Sequence, residues 1–373
     1  MKPADDGAPA GADRLDVSVR RHAGADAGWD EFVERAPGGH HVQTTRWAEV
    51  KRTVGWGAVR VEVRRRGELV GGLQMLLRRV GSLGAVGFVP RGPVIADGAG
   101  AGIVHVVLDT LEPLARSERV LHLKVQPPAG AEAIVATLRG RGYRPSATET
   151  APTATVLVDL DRDLDDIFAA MRTNTRRNIR RAVRSGIVVR VGDRRDIGVL
   201  HALLRATARR QRFAPYPETY YEAMWDQFSP AGHAHLLVAE HGGEPVSALF
   251  VIAFRDTALY KIGGWSGEAR DARPNALMHW SGIEWAKHAG HRWYDLEGID
   301  LAAARAVSQG REPPDSSMDG VTRFKLGFGG DVVIFPPALN HPGKGLAGRA
   351  LRELAPGLER LSPIAARMLG RRG

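Results

Sequence analysis

At 373 residues with 43% hydrophobic content, the chain can bury two cores, since a single core seldom keeps growing past about 250–300 residues. It contains no cysteine, which excludes disulfides, thiolate metal sites and thiol nucleophiles. The net charge of +10 favours a polyanionic partner, either nucleic acid or an anionic lipid surface.

Residues 1–14 lack a basic stretch followed by an apolar run, so they read as a disordered tail and not as a signal peptide. No apolar run is long enough to span a bilayer, and a soluble, cytoplasmic protein is expected. Residues 15–20 alternate like a short strand, and residues 29–35 read as a short helix that Pro37-Gly38-Gly39 ends. Thr44 or Thr45 caps the next helix, over 43–51, whose Trp47 and Val50 share a face. Two strands, 58–66 and 68–77, meet at Arg66-Gly67 as a tight hairpin requires. Pro90-Arg91-Gly92-Pro93 makes residues 86–94 an extended or turn segment, because proline fixes φ and removes a donor. A helix over 101–117, a strand at 120–125 and a helix at 131–139 follow.

The second half repeats this order: a hairpin of 236–240 and 246–254 around Gly242-Gly243, a strand at 258–262, a helix at 275–288 and a strand at 292–296. Residues 61–77 lie against 237–253 with the turn glycine, the glutamate and the valine in register. A repeat of roughly 175 residues is too long for a solenoid and implies two domains of like topology, each a mixed α/β sheet flanked by helices. The expected boundaries are 15–150 and 151–335, with 336–373 as a C-terminal segment. Its helix, 346–369, carries one apolar stripe ringed by arginines, which suits docking onto the first domain or peripheral contact with a membrane.

The most basic element is 163–186, read as one helix with acidic residues in its first turn and Ser185-Gly186 at its end. Arg172, Arg176, Arg180 and Arg184 recur at every fourth position, with Arg177 and Arg181 beside them. Guanidinium forks grip phosphate, so the stripe reads either as a phosphate-binding surface or as a solvated face. Asp159, Asp161 and Asp163 imitate a calcium loop but lack its glycine and final glutamate. His40, His41, His279, His288 and His291 show no ligand spacing and are expected on solvent faces.

The stretch Tyr294-Asp295-Leu296-Glu297-Gly298-Ile299, followed by Asp319-Gly320, Phe324-Lys325 and Phe328-Gly329-Gly330, resembles the end of the second domain in the FemABX family of aminoacyl-tRNA-dependent transferases. Trp47-Ala48-Glu49-Val50-Lys51, Phe88-Val89-Pro90-Arg91-Gly92-Pro93 and Arg176-Arg177-Asn178-Ile179-Arg180 look like further signatures of that family. The resemblance implies two GNAT-like domains in tandem, of α/β (α+β) class. It also implies transfer of an amino acid from aminoacyl-tRNA to the amino group of a peptidoglycan precursor, nucleotide-linked or lipid-linked. By the same resemblance Lys325, expected in a glycine-flanked loop, would contact the tRNA 3′ end and stabilise charge at the carbonyl. Phe324 would pack on the terminal adenosine, and Arg176 and Arg180 would hold tRNA. Lys51, Arg91, Arg212 and Tyr216 would contact the acceptor, and Tyr260 would face the cleft, a half-buried core tyrosine being the alternative. Gln126 stands where relatives often carry an acid, so a carboxylate base is absent there. No cofactor and no metal are implied, a monomer at the inner membrane surface is expected, and the missing helical insertion matches compact family members.

Two rival readings remain open. An acetyl-CoA-dependent N-acetyltransferase needs a glycine-rich pyrophosphate loop opening a helix. Arg78-Arg79-Val80-Gly81-Ser82-Leu83 fits that loop only in part, and Arg273-Pro274-Asn275-Ala276 has no glycine. A non-enzymatic nucleic-acid-binding protein would explain the arginines but not the duplication.

Overall fold

The computed structural model describes residues 14–21, 24–146, 148 and 150–342. The expected helix at 346–369 and most of the expected tail lie outside them.

In the first half, β1 (Leu15–Arg21), α1 (Ala27–Arg35) and α2 (Thr45–Arg52) precede the hairpin of β2 (Gly57–Arg65) and β3 (Glu68–Val80). Arg66 and Gly67 turn that hairpin with φ of 53° and 85°, the left-handed pair a two-residue turn demands. The chain continues through β4 (Gly84–Val89), β5 (Val94–Ile95), α3 (Ala101–Ser117), β6 (Val120–Val125), α4 (Glu132–Gly140) and β7 (Arg144–Pro145). The partial pyrophosphate loop at residues 78–83 is therefore the end of β3 and its turn into β4, and it opens no helix.

The second half starts with β8 (Ala154–Asp159), α5 (Leu164–Ala170), α6 (Thr173–Arg184), β9 (Ile187–Gly192), α7 (Ile197–Gln211) and α8 (Glu218–Phe228). There follow β10 (Ala234–His241), β11 (Glu244–Phe254), β12 (Thr257–Trp265), α9 (Pro274–His288), β13 (Trp293–Asp295), α10 (Leu301–Ser308), α11 (Gly320–Leu326), β14 (Asp331–Ile334) and β15 (Leu339–Pro342). The single helix expected over 163–186 is two helices. Met171 and Arg172 are extended, and Arg176 Nη1 donates to the carbonyls of Ala169 and Met171, closing the end of α5.

Two sheets result, in the orders β1-β2-β3-β4-β6-β15-β7 and β9-β10-β11-β12-β13-β8-β14, with β5 attached to β3. Position for position the orders correspond, and in each the only parallel pair among the described residues is the fourth strand with the fifth, β4 with β6 and β12 with β13. The strand inserted next to that pair comes from elsewhere in the chain: β15 returns from the end of the second half to complete the first sheet. The mixed α/β architecture of two like units is as expected.

A core beneath the first sheet joins α3 and α4, and another joins α5, α6 and α9 to the second sheet. The third is shared: Trp29, Trp47 and Val50 from the first half pack with Leu200, Tyr220 and Phe250 from the second. Among the described residues no helix is long and apolar enough to cross a membrane.

Candidate active site

The two parallel pairs differ in one respect that creates the site. In the first half β4 stays paired with β6 from Ala85 to Val89, whereas β12 pairs with β13 only from Thr257 to Leu259 and then runs on to Trp265 held by β11 alone. The strands splay, and a cleft of 1210 Å³ opens along the free edge of β12, lined by Tyr260, Gly263, Gly264, His279, Phe324 and Lys325 among others. Gly264 has to be glycine here, since a Cβ would sit 2.5 Å from the Leu204 backbone nitrogen of α7.

Alternation along β12 sends its other residues through the sheet. Leu259 and Lys261 line a second, smaller pocket of 140 Å³ between the halves, with Lys51, Arg91, Asp295 and Glu297. That volume is below the ~300 Å³ of a site that encloses a whole small ligand, so the pocket suits the end of a longer one. The cavities thus lie on opposite faces of one sheet, separated by β12 and by the turn after β13.

The turn is bound from both sides. Asp295 Oδ1 accepts from Thr155 Oγ1 and from the Glu297 backbone N–H, the latter at 2.7 Å. Glu297 and Gly298 then take left-handed φ of 44° and 60° in succession, a conformation that costs a glutamate about 1–3 kcal/mol. Their carbonyls accept from Lys325 Nζ, with the Gly298 bond at 2.8 Å. Lys325 is therefore not in a loop. It sits in α11, whose Asp319 side chain caps the Thr322 N–H, and it is buried, with its ammonium 5.5 Å from the Tyr260 ring. Burial pulls it down to about 8, against the opposing pull of Glu297, Asp295 and Asp319. Of its three N–H donors, one has no protein partner among the described residues and can serve the cleft.

Phe324 is half-buried beside Lys325, edge-on to His279 and Phe328 with centroids at 5.4 and 5.1 Å. Tyr260 packs edge-on to His279 at 4.6 Å, and burial followed by the Glu297 charge pushes its phenol well up, so it stays protonated and can donate. His279 is buried at 5% exposure, contrary to the solvent face expected for it, and burial followed by Lys325 lowers it to about 3. It packs as a neutral ring. His41, at 1% exposure, is likewise in the core, and among the described residues no group of side chains could hold a metal.

On the other face, Lys51 lies over Trp47, Tyr216 and Tyr220 at 5.3, 5.2 and 5.6 Å from their ring centres. It has no carboxylate partner among the described residues, and burial, with repulsion from Lys261 and Arg78, lowers it to about 7. Tyr216 is buried and stacked on Tyr220 at 4.2 Å. Arg91 lies over Phe335 at 3.6 Å and donates through Nη2 to the Pro152 carbonyl at 2.8 Å, which Gln126 also reaches at 3.2 Å. Asp295 is raised to about 6, with burial the largest cause.

The structure thus unites Lys51, Tyr216 and Arg91 in one pocket, and Tyr260, Phe324 and Lys325 in the other. Arg212 joins neither: it ends α7 with φ 57°, exposed. Arg176 and Arg180 lie outside both pockets, Arg176 closing α5 and Arg180 over the Phe168 ring at 5.1 Å. Sequence reasoning passed over Lys261 and Glu297, which bond at 3.0 Å. Alternation with Tyr260 could have placed Lys261 on the opposite face; nothing in the letters signals the left-handed glutamate.

Comparison with known proteins follows this division. A model of the FemAB family matches residues 25–136, and one of an acetyltransferase (GNAT) domain matches 169–304. Lipid II:glycine glycyltransferase of Staphylococcus aureus strain MRSA252 is 26% identical over 223 residues, covering 57% of this chain and 52% of that protein. The chain therefore spans about half the length of the curated relatives it matches. The crystal structure of FemX superposes with a TM-score of 0.73 at 20% identity, over 87% of this chain and 97% of that one. A tandem GNAT protein from the clavulanic acid biosynthesis pathway gives 0.50 at 15% identity, over 88% and 98%.

Proposed function

We propose that the chain is a member of the FemABX family and that it moves an amino acid from aminoacyl-tRNA to a side-chain amine of a peptidoglycan precursor. The observation that carries the proposal is the pair of cavities on opposite faces of the second sheet, each with a lysine that keeps donor capacity for a guest, half-buried Lys51 in one and buried Lys325 in the other. Two polyanionic substrates approaching from opposite faces would bring their reacting ends together through the gap where β12 parts from β13, beyond Leu259 and beside the turn 295–299.

In this reading the splayed cleft takes the tRNA 3′ end. The terminal base stacks on Phe324, worth ~1–3 kcal/mol, and the free donor of Lys325 and the phenol of Tyr260 face the ester carbonyl. Arg180 and its helical neighbours meet tRNA phosphates. The smaller pocket takes the acceptor, with a phosphate at Lys51 within its aromatic cage and the amine advancing toward Asp295 and Glu297. The amine nitrogen attacks the ester carbonyl, and the C–N bond forms. As the C–O bond to the ribose breaks, the nitrogen gives up a proton and the ribose oxygen takes one. The ester is already activated, so orientation and charge stabilisation suffice and no protein nucleophile is needed.

Incubating the protein with mixed charged tRNAs and nucleotide-linked muropeptide tests this. A product heavier by one amino-acid residue, formed only when both are present, supports it; acetylation of the precursor from acetyl-CoA, or no product, refutes it. The α9 N-terminus, where that cofactor's pyrophosphate would lie, begins at Arg273-Pro274 without a glycine.

A further inference from the structure

The pocket between the halves holds two opposite charges that do not meet. Arg91 and Glu297 are 6% and 7% exposed, and both line it. Arg91 is fixed by Pro152 and Phe335, yet its Nη1 has no partner among the described residues. Glu297 gives Oε1 to Lys261, yet its Oε2 is likewise unpartnered. The charges sense each other, since Asp295 and Glu297 favour the ionised form of Arg91, but no ion pair within 4.0 Å closes between them among the described residues. Asp295, by contrast, is anchored by Thr155 and the Glu297 N–H.

A buried charged donor and a buried charged acceptor left open in one cavity are costly unless a guest satisfies both. Each is also held in place: the Glu297 backbone at φ 44° is pinned through its carbonyl by Lys325, and the guanidinium by stacking. The guest with matching charges is one that carries an ammonium and a carboxylate side by side.

We propose that Arg91 and Glu297 together read an α-amino-acid head, Glu297 Oε2 receiving the ammonium of the acceptor and Arg91 Nη1 the carboxylate on the same carbon. The inference rests on the transferase reading above and narrows it. The acceptor residue is a diamino diacid, whose reacting amine has a carboxylate neighbour, and not lysine, whose side-chain amine has none.

The test is calorimetric binding of two nucleotide-linked muropeptides that differ only at the third residue, lysine in one and 2,6-diaminopimelate in the other. Wild-type protein binds the diacid form tighter by roughly 10- to 100-fold, the range for a charged hydrogen-bonded pair. Arg91→Met brings the diacid form down to the lysine form's affinity, Arg91→Lys restores part of the preference, and Glu297→Gln weakens both. Equal wild-type affinities overturn the inference and leave the transferase reading standing. So does an equal loss for both precursors in Arg91→Met, which would place a phosphate or only water at Nη1. If Arg91→Met does not fold, the wild-type comparison and Arg91→Lys decide. Binding of neither precursor removes the acceptor reading and the inference together.

Discussion

Replacing Lys325 by methionine separates the structural role that its two backbone contacts give it from the catalytic role proposed for it. Lys325 is 4% exposed and its ammonium donates to the carbonyls of Glu297 and Gly298, so methionine keeps the volume and abandons two buried acceptors. Each lost charged bond costs about 1–3 kcal/mol. Against this, a lysine lowered from 10.5 to about 8 is destabilised in its charged form by about 3 kcal/mol, which methionine relieves. The balance is small, from near zero to a net loss of about 3 kcal/mol, so the melting temperature falls by at most roughly 10 °C. On the proposed reading transfer should fall much further, by about 100- to 1000-fold, because the donor assigned to the developing oxyanion would be gone. Single-turnover transfer at saturating aminoacyl-tRNA, measured well below the variant's melting point, separates the two effects. Near wild-type turnover would refute the charge-stabilising role, and a clearly raised melting temperature would refute the structural one. The pH dependence has a definite sign. The folded value lies below the unfolded one, so the wild type gains stability as pH climbs from about 8 to 10.5, and Lys325→Met loses that rise.

Lys51→Met should raise stability by about 1–2 kcal/mol at pH 7, since it removes a desolvated charge from an aromatic cage, and thermal melts check it. Here too the folded value, about 7, lies below 10.5, so the wild type's gain in stability between those pH values should vanish in the variant. Gln in place of Arg177, Arg180 and Arg184 should flatten the salt dependence of tRNA binding by about 0.7–0.9 for each phosphate no longer neutralised, measured by titration at several salt concentrations. Arg176→Gln should instead lower the melting temperature, because Arg176 closes the end of α5.

Much of the fold was legible because its signals are local. Arg66-Gly67 and Gly242-Gly243 can only turn hairpins, Thr44 caps α2 as its position suggests, and the repeated hairpin disclosed two units of like build. What stayed hidden depends on distant partners. The break at Met171-Arg172 is invisible to periodicity because it is stabilised by Arg176 reaching back to carbonyls. The helix around Phe324-Lys325 reads as a loop from its flanking glycines, although Asp319 supplies an ordinary cap. His279 reads as a surface residue because a lone histidine carries no mark of the four aromatic rings that bury it. The site was half legible: motifs named Lys51, Arg91, Tyr260 and Lys325, but the splay of β12 from β13, which decides which cavity each one serves, is a property of the sheet.

The central claim is that donor and acceptor occupy opposite faces of that sheet, and it is tested most directly by titrating Lys51→Ala and Phe324→Ala each with precursor and with aminoacyl-tRNA. The account predicts that Lys51→Ala weakens precursor binding about 10-fold or more and leaves aminoacyl-tRNA binding nearly intact, while Phe324→Ala does the reverse. Equal losses for both ligands in both variants would contradict it and would mean one common polyanion site.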